Sequence, residues 1–166
     1  MGLDMYLTKA KNIKDKTFEE IIEINRRLEN LDDKNLTKED EILMKENEIH
    51  LRGNFIHWHS LFTEVGYWRK ANAIHNWFVE NVQDGIDECQ LSLVSKEDLE
   101  ELLSICKTVL ETNQTDLLSI QSGFFFGSTN YDEWYYKDIE DTIKILEEVL
   151  ANTDFDNEII CYQSSW

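Results

Sequence analysis

The sequence contains no proline, which excludes proline-rich linkers and PxxP ligand segments. Cysteine is sparse: Cys89, Cys106 and Cys161 are odd in number and widely spaced. Without a CxxC pair, zinc knuckles and thioredoxin-type chemistry are disfavoured. The three thiols read as free and buried in a reducing compartment. No apolar run reaches the ~18 residues of a membrane span. The opening Met1-Gly2-Leu3-Asp4-Met5-Tyr6 lacks the basic region and long apolar stretch of a signal peptide. Tyr6 also stands where a myristoylation signal carries Ser or Thr. Basic residues are few, with 16 Lys and Arg against 34 Asp and Glu and a formal net charge of −18. Such a surface repels phosphate backbones and anionic lipid, so neither nucleic acid nor a membrane is expected as a partner.

What is present suits a folded chain. A length of 166 residues suggests one domain, perhaps with an elaboration. Hydrophobic residues at 42% and aromatics at 11% supply a core and exclude global disorder. Charge is divided unevenly: residues 1–60 carry 10 basic and 13 acidic side chains, residues 61–166 carry 6 and 21.

Leu3, Met5 and Leu7 alternate with Asp4, Tyr6 and Thr8 and predict an opening strand. Thr17-x-x-Glu20 and Thr37-x-x-Asp40 have the form of helix starts. Residues 17–52 therefore read as a polar αα-hairpin whose narrow apolar stripe needs a partner surface, either the main domain or a second copy. A homodimer through 17–52 is the expectation that follows. Gly53 reads as a break, and a helix is predicted over about 60–82. Asp84-Gly85 marks a turn, Leu91 and Leu93 a short strand, and Ser95-x-x-Asp98 another helix start. Leu99, Leu102, Leu103, Cys106, Val109 and Leu110 make the clearest amphipathic stripe. A last helix is predicted over about 131–151 and a closing strand over 158–166. The fold class expected is α+β: a helix-dominated single domain with a small antiparallel sheet and an αα-hairpin near the N-terminus.

Two stretches stand out chemically. Gly66 to Phe78 holds Arg69 and Lys70, two of the six basic residues after position 60, among Tyr67, Trp68, Asn72, His75, Asn76 and Trp77. On a continuous helix Arg69, Asn72 and Asn76 would share a face. A guanidinium fork with aromatic faces suits an anion carrying a heteroaromatic base. Trp68, Trp77 and Phe78 also fit an ordinary core. The second stretch runs through Phe126, Gly127, Ser128, Thr129, Asn130 and Tyr131 to Asp132 and Glu133. A Gly-Ser-Thr turn before a helix offers backbone N–H groups to an anion. Simple N-capping by Ser128, Thr129 or Asn130 competes with that reading, and the acids at 132 and 133 oppose a phosphate.

His57 and His59 could share a strand face, with His50 or His75 as further ligands, but the donor set is incomplete, so no metal is expected. GxSxG and GxGxxG are absent, which disfavours an α/β-hydrolase elbow and a Rossmann cofactor site. No cofactor is expected and no catalytic residue is assigned. The nearest candidate for proton transfer is His75 with Asp132 or Glu133.

At Met1–Leu7 (MGLDMYL), Gly66–Val79 (GYWRKANAIHNWFV) and Gly123–Glu133 (GFFFGSTNYDE), the chain resembles a family of small bacterial and phage proteins, most without an assigned function. The family brings no catalytic residues to carry over. The resemblance implies a cytoplasmic protein of a bacterial host cell. Other small phage proteins sequester nucleotide signals of bacterial immunity, an analogy of context only. The expected function is non-catalytic capture of a small anionic, nucleotide-like ligand, as in phage anti-defence. Its expected contacts are Tyr67, Trp68, Arg69, Asn72, His75, Asn76, Phe126, Ser128, Thr129 and Tyr131. The alternatives are an enzyme acting on a nucleotide or sugar phosphate, and an acidic inhibitor that docks on a host protein.

Overall fold

The computed structural model describes residues 2–29, 36–46, 61–123 and 126–166. Its elements run β1 (Asp4–Lys11), α1 (Phe18–Glu29), α2 (Lys38–Glu46), β2 (Thr63–Arg69), α3 (Asn72–Val82), β3 (Ser92–Val94), α4 (Lys96–Thr112), α5 (Glu133–Asn152) and β4 (Glu158–Ser165), with a short 3-10 turn at Thr115–Leu118. The four strands form one antiparallel sheet in the order β2-β1-β4-β3. The fold class is α+β, as expected. Residues group into two compact units, one of Met1–Thr8, Glu64–Phe155 and Ile160–Trp166, the other of Lys9–Thr63 and Asp156–Ile159.

In the larger unit, period-2 burial in β1 puts Met5 and Leu7 fully inside, with Leu3 just ahead of them. At one edge of the sheet, β3 pairs with β4 in the register Ser92↔Tyr162, Leu93↔Cys161 and Val94↔Ile160. Helix α4 starts where Ser95 accepts from the Asp98 N–H and Asp98 accepts from the Ser95 N–H, a reciprocal cap. It ends at Asn113, which takes the left-handed conformation. Between these ends Leu99, Leu102, Cys106 and Val109 are fully buried, each apolar side chain contributing roughly 1.5–3 kcal/mol. They face α5, whose Tyr135, Ile139, Thr142, Leu146 and Val149 follow the same helical spacing. Burial pushes the Cys106 and Cys161 thiols up to about 12, so both stay protonated.

In the smaller unit the Thr17/Glu20 and Thr37/Asp40 pairs cap α1 and α2 as their spacing predicts. Arg27 on α1 reaches the buried Asp40 on α2 at 2.8 Å, which joins the two helices as in an αα-hairpin. The turn at 30–35, Gly53 and the residues His50, His57 and His59 lie outside the described residues. Among those described, no group of three or more His, Cys, Asp or Glu could hold a metal ion, and no helix is long and apolar enough to cross a membrane.

One expectation is overturned. The helix predicted over about 60–82 is two elements. Residues 63–69 alternate instead, with Trp68 buried and Tyr67 and Arg69 exposed, and they pair as strand β2. Lys70 then takes φ +61, its N–H donates to the Leu3 carbonyl at 2.8 Å, and α3 begins at Asn72. Arg69 therefore shares no helical face with Asn72 and Asn76.

Helix α3 is anchored by a buried polar chain. The fully buried His75 lies 3.0 Å from Asp87 through Nε2 and 2.7 Å from the Tyr162 hydroxyl through Nδ1. Asp87 also accepts from the Trp166 indole N–H at 3.2 Å. Tyr162 stacks on Phe78 with centroids 4.0 Å apart. Burial holds the His75 pKa below its ordinary value, against the opposing pull of Asp87. The ring is neutral: Nε2–H donates to Asp87, and Nδ1 accepts from Tyr162.

Because the folded pKa is depressed, the unfolded chain binds the extra proton first. The stability contributed by neutral His75 is full above pH ~6.5 and is lost as pH falls below it. The urea midpoint of the protein is expected to exceed that of His75→Gln by an amount that shrinks between pH 7 and pH 5. A gap independent of pH would contradict a neutral buried imidazole.

Candidate functional site

The Lys70 reversal leaves the start of α3 open. Its N-cap, Ala71, has no side-chain oxygen, and no acidic residue occupies the first turn. The Asn72 N–H bonds back to the Lys70 carbonyl at 2.9 Å. The N–H groups of Ala73 and Ile74 have no acceptor among the described residues. A helix start in this state carries partial positive charge and unused donors.

Asn72 itself faces the other way and is 6% exposed. Its Nδ2 donates to the carbonyls of Phe126 at 3.0 Å and Ser128 at 2.8 Å, and its Oδ1 accepts from the Gln121 N–H at 3.3 Å. This one amide ties Gln121, Phe126 and Ser128 to the start of α3. Gly127, at φ +93, completes the junction: a Cβ there would stand 3.2 Å from the Lys70 Cβ. A Cβ on Gly2 would stand 3.2 Å from the Lys70 Cε. The lysine stem thus runs between two glycines, and its ammonium makes no ion pair among the described residues.

The juxtaposition encloses a recess of about 310 Å3. Arg69, Lys70 and the first residues of α3 form one side. Gly127, Ser128 and Asn130 form the second, and one face of α5 carrying Trp134, Tyr135, Asp138 and Ile139 forms the third. Ala73, Ile74, Ile120 and Ile139 give it an apolar lining. Trp134 is 67% exposed and its ring packs on no other aromatic among the described residues.

Of the residues expected to bind, Arg69, Asn72 and Ser128 line this recess and the others do not. Tyr67 donates its hydroxyl to Asp4, which holds its pKa up to about 12, and Asp4 also lies 4.0 Å from the Arg69 Nε. Trp68 is in the core, donating to the Thr142 hydroxyl at 2.8 Å. His75 is sealed inside on Asp87, away from the acids at 132 and 133 proposed as its partners. Phe126 is buried edge-on to His75. Asn76 is half-buried, and Thr129 and Tyr131 are exposed, all outside the lining. Asn72 has its amide fully engaged, so it builds the recess and has no donor left for a ligand.

The N-terminus of α5 is not an anion site. Its cap is Asp132, where Ser128, Thr129 or Asn130 had been expected. The Asp132 carboxylate accepts from the Trp134 and Tyr135 N–H groups and from the Ser128 hydroxyl. Sequence reasoning passed over Lys70, Trp134 and Asp138 as site residues. The Trp134/Asp138 and Tyr135/Ile139 pairs are each one helical turn apart, a spacing visible in the sequence. Burial, then the charges of Asp141 and Asp132, push the Asp138 carboxyl up to about 6.

No protein-family model, curated protein or solved structure matches the chain.

Asn72→Ala removes three hydrogen bonds at a buried position and is expected to destabilise the protein by about 2–4 kcal/mol in urea denaturation. A loss below about 0.5 kcal/mol, the level of an ordinary surface change, would show that the amide is not the clamp.

Proposed function

We propose that the recess captures a small anionic, nucleotide-like molecule without turning it over. What carries the reading is the concentration of cationic groups at one side of an otherwise acidic chain: Lys70, Arg69 and the uncapped start of α3. An anion there meets two side-chain charges beside the positive end of a helix, the arrangement that favours phosphate at a helix start. The exposed Trp134 ring supplies a stacking face for a flat base. At about 310 Å3 the space lies at the small end of ligand pockets (~300–1,000 Å3), which favours one mononucleotide over a cyclic dinucleotide. The net charge of −18 does not defeat this, because distant charges are screened beyond about 8 Å at physiological salt.

The enzyme alternative assigned proton transfer to His75, and that imidazole is shut away from the recess. Sequestration of a nucleotide signal in a bacterial cytoplasm, the anti-defence role, is the biological form of this capture by analogy of context with other small phage proteins. For the proposed dimer through 17–52, Ile21 and Leu28 of α1 are buried and Ile42 on α2 is 55% exposed among the described residues.

Calorimetric titration with nucleoside monophosphates and cyclic dinucleotides tests the reading. A monophosphate is expected to bind, to be recovered intact by chromatography, and to bind about tenfold more weakly (~1.4 kcal/mol) to Lys70→Ala. No heat from any nucleotide, or a Lys70→Ala variant that binds as tightly as the parent, would overturn it.

A further inference from the structure

The cationic side explains an anion but leaves Asp138 without a use. Asp138 lies on the α5 face of the recess, one helical turn beyond Trp134. Its backbone carbonyl accepts from the Thr142 hydroxyl at 2.6 Å, while its carboxylate accepts no hydrogen bond and forms no ion pair among the described residues. Asp132 differs, since its two oxygens are spent on the helix cap and Ser128. The carboxylate stands on α5, while Arg69 and Lys70 precede α3.

A partly buried carboxylate that accepts from no protein donor among the described residues is open to a ligand that brings donors. Two carboxylate oxygens match two adjacent N–H or O–H groups. Resting on the capture reading, we infer that Asp138, one turn from the Trp134 ring, selects ligands that present a paired hydrogen-bond donor alongside their anion. Two parts of a nucleotide offer that pair: the N–H edge of a guanine and the cis-diol of a ribose. A uracil edge, with a single N–H between two carbonyls, does not.

Asp138→Asn keeps the shape but replaces one acceptor oxygen with a donor, so a ligand's donor pair meets an NH2 group. Titrations of the parent and of Asp138→Asn with GMP, UMP, 2′-deoxy-GMP and inorganic phosphate separate the sources. Binding of GMP is expected to weaken at least tenfold in the variant, with phosphate binding unchanged. If GMP and 2′-deoxy-GMP lose affinity while UMP does not, the guanine edge is the donor pair. If GMP and UMP lose affinity while 2′-deoxy-GMP does not, it is the ribose diol. A variant that binds GMP as tightly as the parent overturns this inference and leaves the capture reading standing. A parent protein that binds none of the four overturns both.

Discussion

The amide of Asn72 joins two segments about fifty residues apart in sequence. With it engaged on Gln121, Phe126 and Ser128, these three residues are held against the first turn of α3. The walls of the recess follow from that. The choice of residue is physical: a buried site with two carbonyls and one N–H to satisfy needs a side chain that both donates and accepts. The short amide of Asn does so without adding charge. The same engagement turns the side chain away from the first turn of α3, whose Ala73 and Ile74 N–H groups have no acceptor among the described residues.

The two helix starts that meet here behave oppositely, and the difference sets the polarity of the site. Helix α5 neutralises its own N-terminus with Asp132. Helix α3 does not, and it follows directly on Arg69 and Lys70. Lys70 sits in the left-handed region without being glycine, a conformation costing of order 1–3 kcal/mol. The bond from its N–H to Leu3 and the close packing of its stem on Gly2 and Gly127 hold it there. In a chain with 34 acidic residues, Arg69 and Lys70 thus stand beside an uncapped helix start, while Asp132 and Asp138 line the same recess and most other carboxylates act through screening water.

Much of the scaffold was legible in the sequence. The Ser95/Asp98 cap, the Leu99–Val109 stripe, the opening and closing strands and the cap residues of α1 and α2 are local signals, and each formed as its pattern implies. The 60–82 segment misled for a specific reason. Its break falls at Lys70, and neither glycine nor proline marks it, so a helical period was read through a strand. The site suffered from the same misreading. Arg69 was placed on one helical face with Asn72 and Asn76, and the backbone donors for an anion were sought at the Gly-Ser-Thr turn, although Asp132 supplies that helix with its cap. The uncapped start of α3 could be seen only once its boundary was known. Arg69, Asn72 and Ser128 nevertheless line one recess. The buried His75, Trp68 and Phe126 show how readily core aromatics imitate ligand contacts.

Amide hydrogen exchange with and without GMP tests the central claim, that the start of α3 and the facing side of α5 form one ligand site. The expected result is slowed exchange at Ala73 and Ile74 together with slowed exchange in 127–139. Protection confined to one segment, or protection elsewhere with neither affected, would contradict it.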